Sequence, residues 1–280
     1  MSKKTFHLAP SVLALGVSAS LAVACFSDAT PASTGGDTTA TGSDGGSTGS
    51  GGTIGGGTTG GGNPGTGGTT TGGDAGGPAP DVIDDMEGAT GSILTKEGRV
   101  GAWYTYNDAT AGATETPGVP FLPSVITPPR GASTYAARMQ GAGFTTWGAG
   151  MGLNFNDPGD GAGGSKKGTY DASTFAGITF WAKIGAGSTG AVRVNVSTKE
   201  TDPAGGTCSP AAKCSDHFGK SVNLTSDWAE YLIKFADLAQ LGWGQPVAKF
   251  NAAAVYACQF QVAKGTTFDV WIDDVAFVAR

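Results

Sequence analysis

A stretch of 43 residues in the first third of the chain, 35–77, sets the first limit on how this protein folds. Glycine occupies 21 of these positions and threonine 11, with three charged residues and one large apolar residue, Ile54. Such a segment has too little apolar surface to offset the entropy lost on ordering it. We therefore interpret residues 25–80 as a flexible Gly/Thr-rich tether, which leaves 81–280 to form the folded part.

The segment before the tether has the features of a bacterial export signal. Two lysines precede a short apolar run, 12–24, which is typical of a secretory signal peptide and is too short to span a bilayer. Residues 21–25, Leu-Ala-Val-Ala-Cys, resemble the lipobox of bacterial lipoproteins, except that Ala22 replaces the usual leucine. The resemblance implies removal of 1–24 and lipidation of Cys25, which would anchor the protein in the cell envelope, at the outer membrane or cell surface. Ordinary cleavage near Cys25, which would release a soluble exported protein, is the alternative.

The composition of residues 81–280 is that of one substantial globular domain. All six tryptophans and all six tyrosines lie there, which supplies enough aromatic surface for a core. The same region has 15 Lys and Arg against 19 Asp and Glu, and no basic stripe is interleaved with aromatic residues. This mildly acidic balance argues against nucleic acid as a partner.

The cysteines agree with an exported protein. Cys208 and Cys214 bracket a short polar loop, a spacing that favours a local disulfide in an oxidising compartment. A zinc site would need two further ligands nearby, and His217 alone does not supply them. Cys258 alternates with large apolar residues, so we expect a buried thiol there.

The secondary-structure pattern is that of an all-β domain. Short runs with period-two alternation are separated by Gly, Pro, Asn and Asp, and almost nothing has helical spacing. The clearest strand candidates are 177–183, 192–198, 230–235, 255–262 and 268–278. Strands of this kind, joined by long connections, favour a sandwich or jelly roll.

Four sequence blocks, in order along the domain, resemble those of a known group of domains. They are Asp-Asp-Met-Glu at 84–87, Gly-Ile-Thr-Phe-Trp-Ala-Lys at 177–183, Leu-Thr-Ser-Asp-Trp at 224–228 and Phe-Asp-Val-Trp-Ile-Asp-Asp-Val at 268–275. These blocks resemble galactose-binding-like β-sandwiches, most closely family-eleven carbohydrate-binding modules and complex-I-intermediate-associated proteins. The resemblance implies a single jelly roll over 81–280, and it does not specify a ligand.

The same resemblance implies a structural calcium ion near the join of the first and last strands. Glu87 and Asp273 occupy the matching positions, with Asp84, Asp85 and Asp274 as weaker candidates. Calcium prefers six to eight oxygen ligands, and carboxylates from both chain ends would pin those ends together. Acids that are simply solvated at strand ends are the alternative.

Alternation along the strands also sorts side chains into apolar and polar faces. Arg193 and Asn195 alternate with three valines, and Gln259 and Gln261 alternate with apolar residues. Along 99–107 the same rule separates a set that contains Trp103 from a set that contains two tyrosines, and we assign Trp103 to the wetter face.

Together these polar faces match the chemistry of a glycan. Sugar rings have apolar C–H faces that stack on aromatic rings, and hydroxyl rims that amides and Arg can hydrogen-bond. The predicted ligand-binding residues are Trp103, Trp181, Arg193, Asn195, Gln259 and Gln261. As an alternative, Trp181 and Trp271 could lie under loops as a second small core.

Catalysis finds little support in the sequence. No spacing singles out a pair of carboxylates suited to glycoside hydrolysis, and His217 fits a role in the disulfide loop better than one as a general base. The sequence therefore predicts a non-catalytic, lipid-anchored envelope protein that binds a polysaccharide. A glycoside hydrolase or hydrolase-accessory protein, and an adhesive or structural lipoprotein that binds protein, are the alternatives.

Overall fold

The computed structural model of the protein describes residues 80–162, 164–209 and 213–280. The signal peptide, the lipidated Cys25 and nearly all of the tether therefore lie outside the described residues, and those hypotheses stay predictions. No helix in the described part of the chain has the length and apolarity that crossing a membrane requires.

Twelve β-strands form nearly all of the regular secondary structure of the described chain. In order they are β1 (Asp81–Asp84), β2 (Trp103–Asn107), β3 (Thr114–Thr116), β4 (Ser124–Arg130), β5 (Ser133–Ala142), β6 (Gly148–Asn154), β7 (Phe175–Ile184), β8 (Ala191–Thr198), β9 (Phe218–Asn223), β10 (Ala229–Lys234), β11 (Val255–Ala263) and β12 (Phe268–Ala279). Two single-turn 3₁₀ helices, Phe235–Asp237 and Ala252–Ala254, are the only helices among the described residues.

The strands form two antiparallel sheets. The first is seven-stranded, with the order β10-β7-β12-β5-β3, and in addition β1 pairs with β12 and β4 pairs with β5. The second is five-stranded, with the order β2-β6-β11-β8-β9. The predicted fold class, a single all-β sandwich of jelly-roll type, is confirmed.

The core lies between the two sheets, where the strand alternation places one face of each. Cys258, Phe260 and Val262 of β11 point inward and are fully buried. Phe260 meets Phe180 of β7 edge to face, with ring centroids 5.0 Å apart, so this aromatic pair joins the two sheets. Because inward residues alternate with outward ones, each sheet also has an outer face.

The cysteines are arranged as the sequence indicated. Cys208 and Cys214 form a disulfide, and Cys258 is a buried free thiol. Burial raises the pKa of the Cys258 thiol to about 12, so it stays protonated and unreactive at neutral pH.

Candidate functional site

The outer face of the five-stranded sheet presents two rows of side chains that cross the strands. Residues paired across antiparallel strands point to the same face, so the register defines each row. The first row, from β2 to β9, is Tyr106, Gly150, Gln261, Arg193 and Ser221, and the second is Tyr104, Gly152, Gln259, Asn195 and Gly219. We call this surface the platform.

Glycines form the floor of the platform at the points where its largest side chains lie. A β-carbon at position 150 would stand 2.6 Å from Cζ of Tyr106, and one at position 152 would stand 3.1 Å from Cζ of Tyr104. Both tyrosine rings therefore lie against the backbone of β6 instead of standing away from the sheet. Their centroids are 6.0 Å apart and their planes are tilted by 46°, so the two rings form a continuous aromatic surface.

The guanidinium group of Arg193 lies on the platform in the same way. A β-carbon at Gly219 would stand 3.0 Å from Arg193 Nε, so the Arg193 side chain crosses β9 over that glycine. Beyond β9 its Nη2 donates a hydrogen bond of 2.7 Å to the carbonyl oxygen of Ala239. This bond fixes the plane of the guanidinium against the sheet.

Side-chain hydrogen bonds also orient the amides of the platform. Gln259 Nε2 donates to Tyr104 Oη at 3.0 Å, and Asn195 Nδ2 donates to Gln261 Oε1 at 3.0 Å. Each amide has two N–H donors and an oxygen acceptor, so one bond fixes its orientation without using all of its hydrogen-bonding capacity. The platform thus combines two tyrosine rings with amide and guanidinium groups of fixed orientation.

The platform has almost no net charge. Burial raises the pKa of both Tyr104 and Tyr106, so their hydroxyls remain neutral. In the two rows, all of whose residues are described, Arg193 is the one charged side chain. Glu115 lies at the rim, near Tyr106, and burial raises the pKa of its carboxyl to about 7. A neutral, hydroxylated ligand suits such a surface better than a strongly charged one.

A third aromatic residue, Trp147, extends the two tyrosines at one corner of the platform. Its ring stacks on Tyr106 with centroids 5.8 Å apart, and Tyr106 in turn is 6.0 Å from Tyr104. Although Trp147 is 39% exposed, the Asp108 carboxylate holds its loop by accepting hydrogen bonds from the backbone N–H groups of Thr146, Trp147 and Gly148 at 2.8, 2.8 and 3.0 Å. The indole is therefore exposed but firmly placed.

Four of the six predicted ligand-binding residues come together on the platform. Arg193 and Asn195 on β8 lie beside Gln261 and Gln259 on β11, as their alternation indicated. The sequence did not single out Tyr104, Tyr106 or Trp147. A usable signal for the tyrosines was present, because glycine at every second position of β6 marks a strand face without side chains, on which neighbouring groups can lie.

The placement of Trp103 on the open face was wrong. Trp103 is only 3% exposed, its ring stacks between Phe121 and Phe260, and its Nε1 donates a 2.6 Å hydrogen bond to Asp84. Arg99, from the same predicted set, is also buried, at 1% exposure. The alternation along 99–107 was correct, but it is the tyrosine set that faces outward. The two tyrosine rings are partly exposed, and they can face outward because they lie over the glycines of β6.

Trp181 lies on the outer face of the other sheet, away from the platform. The guanidinium carbon of Arg130 stands 4.7 Å from its ring centroid. Nearby, Trp271 forms a small separate apolar cluster with Ile126 and Ala136, and Trp228 packs against it. For Trp271 the structure thus supports the alternative of a second small core, and Trp181 does not join the four residues on the platform.

The carboxylates predicted to bind calcium have partners within the protein. Glu87 accepts hydrogen bonds from the backbone N–H of Thr134 and Tyr135 at 2.8 and 3.0 Å, and one from the Thr134 hydroxyl. Asp273 is fully buried, and it accepts hydrogen bonds from Arg130 Nη2 at 2.8 Å and from the Ser133 hydroxyl.

These carboxylates already have a cation and hydrogen-bond donors of the protein as partners. The Arg130 guanidinium provides the positive charge beside Asp273 and also reaches Asp274. Within the described residues no three His, Cys, Asp or Glu side chains are grouped as a metal site would require. Calcium at Glu87 and Asp273 remains a prediction from the resemblance alone.

Comparison with known proteins finds similar solved structures but no matching family. No protein-family model and no curated protein matches the sequence. Among solved structures, the chain is similar to the family 11 carbohydrate-binding module of a cellulosomal cellulase of Clostridium thermocellum, with 15% identity and a TM-score of 0.46 over 72% of this chain and 95% of that chain. It is similar to the same organism's family 11 module in complex with a β-1,3-1,4-mixed-linked tetrasaccharide, with 15% identity and a TM-score of 0.46 over 71% of this chain and 95% of that one.

A larger enzyme also contains a similar fold. An exo-β-agarase matches with 10% identity and a TM-score of 0.44 over 71% of this chain and 25% of that chain. These neighbours include the family that the four sequence blocks resemble. At such identities and TM-scores the likeness carries no argument about function, so which residues bind a ligand must be argued from the platform itself.

Proposed function

We propose that this protein is a non-catalytic, exported binding protein whose platform holds a neutral polysaccharide. The observation that carries the proposal is the glycine floor under Tyr104 and Tyr106, which brings both rings close against an outer sheet face. Aromatic rings in that orientation match the apolar C–H faces of pyranose sugars. Packing of the hydrophobic core does not require aromatic rings on the solvent-facing side of the sheet.

The polar groups of the platform supply the second half of sugar recognition. The amides of Gln259 and Gln261 lie on β11, across the glycines of β6 from the rings, and the guanidinium of Arg193 lies farther along the platform, over β9; each is held by a hydrogen bond. Planar groups of this kind hydrogen-bond two neighbouring hydroxyls at once, and their fixed orientation reduces the entropy lost on binding. We therefore expect recognition of an extended chain with hydroxyls at its edges.

Binding to such a surface is weak for each copy of the protein. A shallow face buries little of a hydrophilic ligand, and each hydroxyl must first lose water, so dissociation constants from about micromolar to millimolar are expected. Many copies tethered to one surface would raise the overall affinity by avidity. Weak binding by itself does not count against the proposal.

We do not expect the platform to hydrolyse the polysaccharide that it binds. Glycoside hydrolysis by the usual route needs two carboxyl groups on opposite sides of the bond that breaks. The two described rows contain no Asp or Glu, and the nearby rim carboxyl, Glu115, hydrogen-bonds to Asn107 at 2.8 Å. A binding role needs no such pair.

Lipidation of Cys25 forms part of the same proposal. Lipid chains contribute roughly 0.8 kcal/mol per buried CH₂, and stable anchoring needs more than one chain, as lipoprotein cysteines carry. The Gly-rich stretch 35–77 of the tether would by itself give an r.m.s. span of roughly 35 to 40 Å, which sets the domain off the envelope surface. Detergent phase separation tests this part: the wild type should enter the detergent phase and Cys25→Ser should not.

Glycan-array binding and reducing-sugar release, measured on the same purified protein, test the binding role. Binding of a neutral polysaccharide without product release is the expected result. Release of sugar would instead establish the hydrolase alternative. If the array shows no binding at all, the protein-binding lipoprotein becomes the better account.

A further inference from the structure

A second exposed tryptophan, Trp243, lies in the short loop that follows Ala239. It is 51% exposed, and its neighbour Leu241 is 64% exposed. An aromatic side chain exposed beside an aliphatic one forms a small apolar patch at the surface. The loop is therefore a candidate for contact with a ligand.

The Asp216 carboxylate holds this loop in a defined conformation. It accepts hydrogen bonds from the backbone N–H groups of Leu241, Gly242 and Gly244 at 2.9, 2.8 and 3.1 Å. Gly244 lies so close that a β-carbon there would stand 2.4 Å from Cβ of Asp216. On its other side the loop reaches the disulfide segment, where Gln245 N donates to Lys213 O at 3.2 Å.

The same device holds Trp147 at the opposite edge of the platform. There, too, one carboxylate, that of Asp108, accepts three backbone N–H bonds from a short loop with an exposed indole. In both cases the polar bonds fix the loop while the ring stays in solvent. Each loop is thus ordered by hydrogen bonds to a carboxylate and not by burial of its aromatic ring, as expected for a preorganised binding surface.

The Trp243 loop is continuous with the platform. Its first residue, Ala239, pairs with Gly219 on the edge strand β9 through backbone bonds of 3.0 and 3.2 Å. The carbonyl oxygen of Ala239 also accepts the Arg193 bond described above. The platform therefore extends beyond β9 into the segment that leads to Trp243.

We propose that Trp243 is a second stacking position for the polysaccharide, at the edge of the platform opposite Trp147. This inference rests on the proposed function and adds to it a requirement for ligand length. Adjacent strands lie about 4.8 Å apart, so the five strands between the two edges span about 19 Å. Only an extended oligosaccharide or polymer can contact both tryptophans, and a short sugar is limited to one edge.

The test is a comparison of ligand lengths. Affinities for a disaccharide, a tetrasaccharide and an octasaccharide of the polysaccharide found on the array are measured by calorimetry for wild type and Trp243→Ala. The variant should bind the octasaccharide about three- to tenfold more weakly, as expected for one lost stacking contact, and the disaccharide as well as wild type does. Leu232→Ala, an exposed apolar change on β10 of the other sheet, is the matched control and should leave every affinity unchanged.

The outcomes separate this inference from the proposed function. If wild type binds the octasaccharide, Tyr106→Ala weakens that binding and Trp243→Ala does not, the inference is wrong while the proposed function holds. If wild type binds none of the sugars, the proposed function itself fails. Because Trp243 is exposed, the variant should fold, and an unchanged melting temperature confirms that any loss belongs to binding.

Discussion

The ring of Tyr106 lies directly over Gly150, and Cζ of the ring would be only 2.6 Å from a β-carbon at that position. A methyl group at residue 150 must therefore push the ring away from the sheet. Because the obstructing atoms belong to a movable side chain, the fold can absorb the change. We expect Gly150→Ala to weaken polysaccharide binding by at least a few-fold while the melting temperature changes little.

Gly118 provides the matched control for that substitution. A β-carbon there meets nothing within 4 Å, so Gly118→Ala should affect neither binding nor stability. Full binding by Gly150→Ala, measured beside this control, would show that the flat Tyr106 ring is not part of the site.

Trp103 is expected to act on stability, not on binding. Its indole fills the core and donates to the Asp84 carboxylate, so Trp103→Ala should cost about 3 to 5 kcal/mol of the free energy of unfolding. Trp103→Phe keeps much of the packing but removes the donor, which should cost about 1 to 3 kcal/mol. Trp147→Phe, at an exposed indole, should change stability by less than about 0.5 kcal/mol in a denaturant titration. A stable Trp103→Ala protein that has lost only binding would reverse the assignment of faces.

The wrong placement of Trp103 shows that alternation predicts which residues share a strand face but does not always predict which face points outward. Alternation fixed which residues share a face, and for Arg193, Asn195, Gln259 and Gln261 the apolar partners also showed which face points outward. Along 99–107 both sets mix aromatic and polar residues, so polarity could not decide. The decision came from pairing with β6, whose glycines lie under the tyrosines and whose Met151 and Leu153 lie on the Trp103 side.

Other features depended on contacts that no local pattern records. The partners of Asp273 come from Arg130 and Ser133, more than 130 residues earlier in the chain. Likewise, Asp216 and the Trp243 loop are separated by two strands and a 3₁₀ helix. The fold class, by contrast, was within reach of the sequence, because period-two alternation is local and recurs in nearly every strand.

His217 should make the protein sensitive to acid. It is 8% exposed, and its Nδ1 hydrogen-bonds with Thr201. Burial lowers the pKa of the imidazole to about 4. The positive charge of Lys167 also lowers this pKa, whereas the negative charges of Asp202 and Asp216 raise it. A histidine whose folded-state pKa lies below its ordinary value contributes full stability above about pH 6.5 and loses it as the pH falls toward 4. The slope should reach about 1.4 kcal/mol per pH unit.

Comparison of wild type with His217→Gln isolates this effect. Burial raises the pKa of Asp84 to about 6 and that of Glu115 to about 7, and both groups titrate in the opposite sense. They are present in both proteins, so their contributions cancel in the difference. Denaturant titrations from pH 7 to 4 should show wild type losing stability relative to the variant. Parallel curves would mean that His217 does not remain neutral in the folded state.

The Arg130–Asp273 pair decides the question of calcium. With Arg130 as the cation beside Asp273, chelation should leave the melting temperature unchanged, and Arg130→Met should cost about 3 to 5 kcal/mol because it leaves a buried carboxylate unpaired. Lys220→Met, which breaks the exposed pair with Asp237, is the control and should cost less than about 1 kcal/mol. A melting temperature that falls on chelation, and no longer does so in Glu87→Gln, would instead establish the calcium site.

Calorimetric titration of the purified protein with the polysaccharide that it binds on the array tests the central claim most directly. The platform account requires Tyr104→Ala and Tyr106→Ala each to weaken binding about tenfold with the fold intact, because each removes a flat stacking ring. Trp181→Ala, on the outer face of the other sheet, should leave the affinity at its wild-type value. Undiminished binding by both tyrosine variants, with binding lost in Trp181→Ala, would contradict the account and move the site to the opposite sheet.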